Sequence, residues 1–139
     1  MRLYLDANFI VYCVEGDPEA KAFCLSRLRE VQGEPSGTIL ASRLSQVEVL
    51  VKPIRLRDEA RIASFRAFFS SLGVYLADVS NEIVDRALEI RARSNLKLVD
   101  SLHVAAAVEH HATLFLTGDR DIVALRRIGT VSFEQIPVR

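Results

Sequence analysis

The sequence predicts an α/β protein, a three-layer α/β/α sandwich around a mostly parallel central sheet. Short apolar runs such as "RLYL", "GTILAS" and "TLFLT" alternate with longer amphipathic stretches. Strands separated by helices imply right-handed crossovers and helices on both faces of the sheet. Half of the 139 residues are hydrophobic, enough for one compact core and too little for two, so residues 1–139 are expected to form a single domain. No strand is followed by G-x-G-x-x-G or G-x-x-x-x-G-K-[ST], so the glycine-loop nucleotide folds lose their signature.

Each element has a local reason. "RLYL" (2–5) reads as the first strand, and "ANFIVYCVE" as a helix closed by Gly16. Asp17-Pro18 supplies an N-cap and a first-turn proline. The helix behind it carries Ala20, Phe23, Cys24, Leu28 and Val31 on one stripe and ends at Gly33. "GTILAS" (37–42) is the second strand. "SQVEVLVK" opens a helix that Pro53 is expected to interrupt. Residues 56–72 read as a helix with Leu56, Ala60, Ala63, Ala67 and Phe68 inward. "VYLADV" (74–79) is a third strand, 81–94 and 99–111 are helices, and "TLFLT" (113–117) is the fourth strand. "DRDIVALRR" reads as a short helix and "VSFEQI" as a last, edge strand.

The 18 basic and 18 acidic residues cancel, so no global field draws the chain to nucleic acid or to an acidic membrane. Cys13 and Cys24 lie in apolar helical patterns and read as small hydrophobes, neither a disulfide nor a zinc site. Asp6 and Asn8 break the apolar N-terminus, which is neither a signal peptide nor a membrane span. A soluble cytoplasmic protein is expected.

The acidic residues carry the functional argument. Asp6 ends strand one, Glu48 opens the helix after strand two, and Asp119 and Asp121 follow strand four. Asp100 opens the helix that leads into strand four. In a parallel sheet these positions share the carboxyl edge, where open α/β folds bind ligands. Singly, Asp6, Asp100 and Asp119 read as N-caps, and Glu48 as the partner of Ser45 in a capping box. Together, carboxylates on one edge with no adjacent lysine would repel one another. A hard divalent cation with oxygen ligands, Mg2+ or Mn2+, answers that repulsion, and capping is compatible with it.

In order and spacing, "YLDANFIVY", "SRLSQVEVLVKP", "LKLVDSLHVAAA" and "LFLTGDRDI" resemble the PIN-domain nucleases, and especially the VapC toxins of toxin–antitoxin pairs. The resemblance spans nearly the whole chain and implies the same α/β/α fold. Carried over by position, it implies that Asp6, Glu48 and Asp100 hold the metal, with Asp119 as a fourth acid and Asp121 as a further candidate. Asn8 and Thr117 match polar positions that orient these acids. His103 matches a frequent family histidine, read here as hydrogen-bonded within its helix layer.

The implied activity is Mg2+- or Mn2+-dependent hydrolysis of RNA phosphodiester bonds, leaving a 5′-phosphate and a 3′-hydroxyl, with no side-chain nucleophile. Arg120, Lys52 and Arg55 are candidate phosphate contacts, Arg57 and Arg61 lie in the same basic group, and Arg86, Arg91 and Arg93 precede Asp100. Solvated helix faces account for most of these cations. The resemblance also implies a homodimer and a cognate antitoxin. The wide apolar arc of Phe65, Phe68, Phe69 and Leu72, with the preceding helix, is the expected contact surface.

The rival classes fit less well. An aspartyl-phosphate phosphatase wants a second Asp two residues after the first, where Asn8 stands. A receiver-like module could use Asp78 but lacks the lysine, since "TGDRD" supplies none. An inactive PIN-like RNA-binding domain is the more serious alternative, disfavoured because all the acids are present.

Overall fold

The computed structural model describes residues 1–71 and 73–137. Its elements are β1 (Arg2–Leu5), α1 (Ala7–Glu15), α2 (Pro18–Gln32), β2 (Thr38–Ser42), α3 (Leu44–Arg55), α4 (Glu59–Ser71), β3 (Tyr75–Ala77), α5 (Asn81–Ala92), α6 (Leu98–Glu109), β4 (Leu114–Thr117), α7 (Arg120–Val123), β5 (Arg127–Ile128) and β6 (Val131–Gln135). They build a six-stranded sheet of order β3-β2-β1-β4-β6-β5. All neighbours are parallel except β5 and β6, so the predicted architecture is the observed one.

Alternation along the strands sorts the core into two layers. Leu3, Leu5, Ile39, Ala41, Leu114 and Leu116 face α1 to α4, packing on Phe9, Cys24, Val49 and Phe65. Tyr4, Leu40, Phe115 and Phe133 face the opposite way, onto Ile83, Ala87, Val104 and Ala105 of α5 and α6. Asp17 caps α2 through the amides of Glu19 and Ala20, and Ser80 caps α5 through that of Ile83. At Gly37 a Cβ would lie 1.9 Å from the Val31 carbonyl oxygen, so the turn between α2 and β2 has room only for glycine.

Four local expectations need correction. Pro53 does not interrupt α3, which runs on to Arg55. It sits in the last turn, so the one ladder bond it forgoes costs little continuity. The next helix begins at Glu59, where Asp58 accepts from the Arg61 amide, and Leu56 lies in the exposed turn before it. Its inward face is Phe65, Phe68 and Phe69, while Ala60, Ala63 and Ala67 are exposed, because three large rings gain far more from burial than three methyl groups. Finally, β6 is not the edge: the two-residue β5 pairs outside it.

The burial of those phenylalanines removes the contact surface expected from them. Phe65 is 1% exposed, and Phe68 and Phe69 are also buried within this one chain. Leu72 lies outside the described residues. The part of the expected surface that stays exposed is on the preceding helix, where Val47, Val51 and Ile54 follow one another at i, i+4 and i+7. Other exposed apolar side chains lie elsewhere, among them Val84 and Leu88 on α5 and Leu98 and Val99 on α6.

Candidate active site at the carboxyl edge

The chain lays down β1, β2 and β3 in one direction, then returns to place β4 on the other side of β1. The reversal between β1 and β4 is a topological switch point, and the crevice outside it is where such sheets bind ligands. Asp6 directly follows β1, and Asp119 lies two residues past β4.

Asp6 is buried, and each of its carboxylate oxygens accepts a hydrogen bond. One oxygen, Oδ1, accepts from the Phe9 amide at 3.0 Å, capping α1. The other, Oδ2, accepts from the Thr117 hydroxyl at 2.6 Å. Thr117 Oγ1 in turn accepts from the Asp119 amide at 3.0 Å, tying the start of α7 to the same point. Burial pushes the Asp6 carboxyl above the ordinary 3.8, against the pull of its Thr117 and Phe9 hydrogen bonds.

Asp119 is also a cap, Oδ1 accepting from the Asp121 amide at 2.8 Å. Asp100 is not. The N-cap of α6 is Lys97, without a side-chain cap bond, and Asp100 sits in the first helical turn. Its side chain meets Asp119 instead. Burial, the Asp119 charge and the hydrogen bond between the two carboxyls push Asp100 up to about 6.

Glu48 departs furthest from its local reading. Arg43, not Ser45, occupies the N-cap position of α3, so there is no capping box. Ser45 Oγ is buried with no hydrogen-bond partner among the described residues. Glu48 Oε1 is held by His103 Nε2 at 2.5 Å. The partners of His103 are therefore not within its helix layer: they are Glu48 on α3 and the Tyr4 hydroxyl on β1, 2.7 Å from Nδ1.

The remaining candidates are placed as follows. Asn8 is exposed in the first turn of α1, and among the described residues its side chain is not bonded to an acid. Asp121 and Arg120 are exposed at the head of α7. Lys52 and Arg55 close α3, four and seven residues past Glu48 and so on its face of the helix. Arg61 pairs with Glu15 at 2.7 Å, and Arg86 with Glu109 at 2.8 Å, consistent with structural surface cations. Sequence reasoning missed Arg43, which meets Asp78 at 3.3 Å beside the ends of β2 and β3. Its only local signal was its place directly after a strand.

Asp6 feels the charge of Glu48, and Asp100 feels those of Asp119 and Asp6, so these four acids are neighbours. They do not form a finished cage: among the described residues no three Asp, Glu, His or Cys side chains are grouped to hold an ion as they stand. The donor set nevertheless fits a hard cation. It is all carboxylate oxygen and partly desolvated, among the described residues no lysine or arginine charge offsets Asp6 or Asp100, and the Asp100–Asp119 pair is the repulsive contact that a divalent ion relieves.

Comparison with known proteins agrees with this fold. The family model described as the PIN domain matches residues 3–129. Among solved structures, VapBC2 from Rickettsia felis, bound to a DNA fragment from the promoter, aligns with a TM-score of 0.74 at 19% identity, covering 97% of this chain and 98% of that one. VapC20 of Mycobacterium tuberculosis, a Sarcin-Ricin loop cleaving toxin, aligns with a TM-score of 0.70 at 16% identity, covering 94% and 98%. A toxin–antitoxin complex from Klebsiella pneumoniae gives 0.61 at 20% identity, covering 93% and 94%. No curated protein sequence matches.

Proposed function

This chain belongs to the PIN domain family, and on that premise we propose that it is an Mg2+- or Mn2+-dependent endoribonuclease, the toxin of a toxin–antitoxin pair. The observation that carries the reading is the meeting of Asp6, Glu48, Asp100 and Asp119 at the β1/β4 switch point, with Asp100 and Asp119 in direct contact. Structural similarity to VapC toxins supports it.

In this reading Asp6, Glu48, Asp100 and Asp119 hold the metal, and Asp121 is a further candidate at the rim. A divalent ion in such a site acidifies a bound water and stabilises charge on the phosphate and the leaving oxygen. The chain's own residues do the positioning. Thr117 fixes one face of Asp6 while the Phe9 amide fixes the other. The Thr117 bond to the Asp119 amide sets the start of α7 against β4. Lys52 and Arg55, on the Glu48 face of α3, and Arg120 at the rim supply positive charge for the RNA backbone.

The apolar stripe Val47, Val51 and Ile54 is the surface we assign to the expected homodimer or antitoxin contact, in place of the buried phenylalanines. Among the described residues no helix is long and apolar enough to cross a membrane. We place the protein in the cytoplasm, as one domain over 1–139.

The test is incubation of purified protein with RNA and Mn2+ or Mg2+ beside an Asp100→Asn variant. Metal-dependent cleavage by the wild type alone is expected. Equal cleavage by both would remove Asp100 from the site. RNA binding without cleavage would favour an inactive PIN-like RNA-binding domain.

A further inference from the structure

Tyr4, His103 and Glu48 form a chain of side chains that crosses the layers of the sandwich. Tyr4 is fully buried on the face of β1 turned toward α6. His103 lies on α6 and is 1% exposed. Glu48 lies on α3, which packs on the opposite face of the sheet, and its side chain is 33% exposed. The path therefore begins in the core, passes over the carboxyl edge and ends on an acid at the mouth of the crevice.

Hydrogen-bond chemistry fixes its direction at the Glu48 end. A carboxylate only accepts, so Nε2 carries the proton in the 2.5 Å bond to Glu48 Oε1. Nδ1 lies 2.7 Å from the Tyr4 hydroxyl, which donates to it when the imidazole is neutral and can accept from it when the ring carries both protons. Burial first, and then the charges of Asp6 and Glu48, raise the Tyr4 hydroxyl well above its ordinary 10.0, so it keeps its proton. Both ring nitrogens of His103 are bonded outside α6, Nδ1 to Tyr4 in the core and Nε2 to an acid of the candidate site.

We propose that His103, braced by Tyr4, is a positioning residue for Glu48: it holds Oε1 and so presents Oε2 to the crevice. The inference rests on the metal-dependent reading of that crevice. It gives α6 two duties, since the helix that carries Asp100 also carries, three residues on, the group that aims the acid of α3. Glutamate is flexible, and without the imidazole its carboxylate would sample solvent rather than one pose.

The test is Mn2+ affinity, followed by the electron paramagnetic resonance signal of free Mn2+, for wild type, His103→Leu, His103→Gln, Tyr4→Phe, Glu48→Gln and the double variant His103→Leu/Glu48→Gln. Circular dichroism identifies the folded variants. The expected result is a loss of about tenfold or more for His103→Leu, as for outer-shell partners of metal ligands. Tyr4→Phe loses less, and His103→Gln, which keeps an N–H donor, recovers part of the loss. The double variant binds no more weakly than Glu48→Gln, because His103 acts through Glu48. If His103→Leu does not fold, Tyr4→Phe and its combination with Glu48→Gln complete the same cycle. Unchanged affinity in the folded variants, or losses that simply add, would overturn the positioning role while leaving the metal reading intact. A wild type that binds no Mn2+ would overturn both.

Discussion

The Thr117 hydroxyl donates to Asp6 Oδ2 across 2.6 Å, joining the ends of the two central strands, β4 and β1, which are 111 residues apart in the chain. Both partners are buried. Thr117→Val keeps the shape and removes the donor, so Asp6 is left with an unsatisfied buried oxygen. The expected cost is about 1–3 kcal/mol in urea unfolding, with RNA cleavage falling as well. Thr117→Ser should retain most of both. Equal stability of the valine and wild-type proteins would show that the bond contributes nothing.

Asp100 gives a pH dependence with a definite sign. Its folded-state value, about 6, lies above the ordinary 3.8, so the folded chain binds this proton more tightly than the unfolded chain does. That contribution is complete below about 3.8 and is lost as the pH rises through about 6. With EDTA present, wild type should therefore lose stability across this window relative to Asp100→Asn. The variant should be the more stable protein at pH 7, by about 1 kcal/mol once solvent screening of a half-buried group is allowed for. Thermal melts from pH 4 to 7 read the difference, and parallel curves would refute the assignment.

Asp119 and Asp121 are separable. Asp119 contacts Asp100, whereas Asp121 is exposed on the outer side of the short α7. Asp119→Asn keeps an acceptor for the cap, so folding should survive while metal-dependent cleavage falls by about a hundredfold or more, an effect of the size expected when a group that stabilises developing charge is removed. Asp121→Asn should cost less than about tenfold. The reverse order would exchange their roles.

Phe65 belongs to the core and not to an interface. Phe65→Ala should destabilise the isolated chain by about 3–5 kcal/mol, with no dependence on protein concentration. Val51→Asp, on the exposed stripe of α3, should leave the monomer's unfolding midpoint nearly unchanged. Sedimentation of the two variants beside wild type distinguishes core from contact surface.

The strands and helices were legible because their signals are local: apolar runs, Asp17-Pro18 and the glycines that end helices. Strand and helix order then placed Asp6, Asp100 and Asp119 on one edge without any coordinates. What stayed hidden depends on distant partners. His103 had no visible partner in sequence because Tyr4 and Glu48 lie 99 and 55 residues away. Ser45 and Glu48 have capping-box spacing, but a long-range bond to the imidazole outcompetes the local one. On α4 the alanines and the phenylalanines suggest different stripes, and only the packing against α1 and α3 chooses between them. The two residues of β5 are too few to carry a periodicity.

The sheet ends on one side in a three-residue strand, β3, and on the other in the two-residue antiparallel β5. Such edges leave little unpaired ladder for another chain's strand to extend. Growth by strand addition, the route to domain-swapped or fibrillar assemblies, is thereby discouraged at both ends. A partner chain that docks on this molecule is better served by helix faces than by strand addition, and the apolar ridge of α3 is one such face.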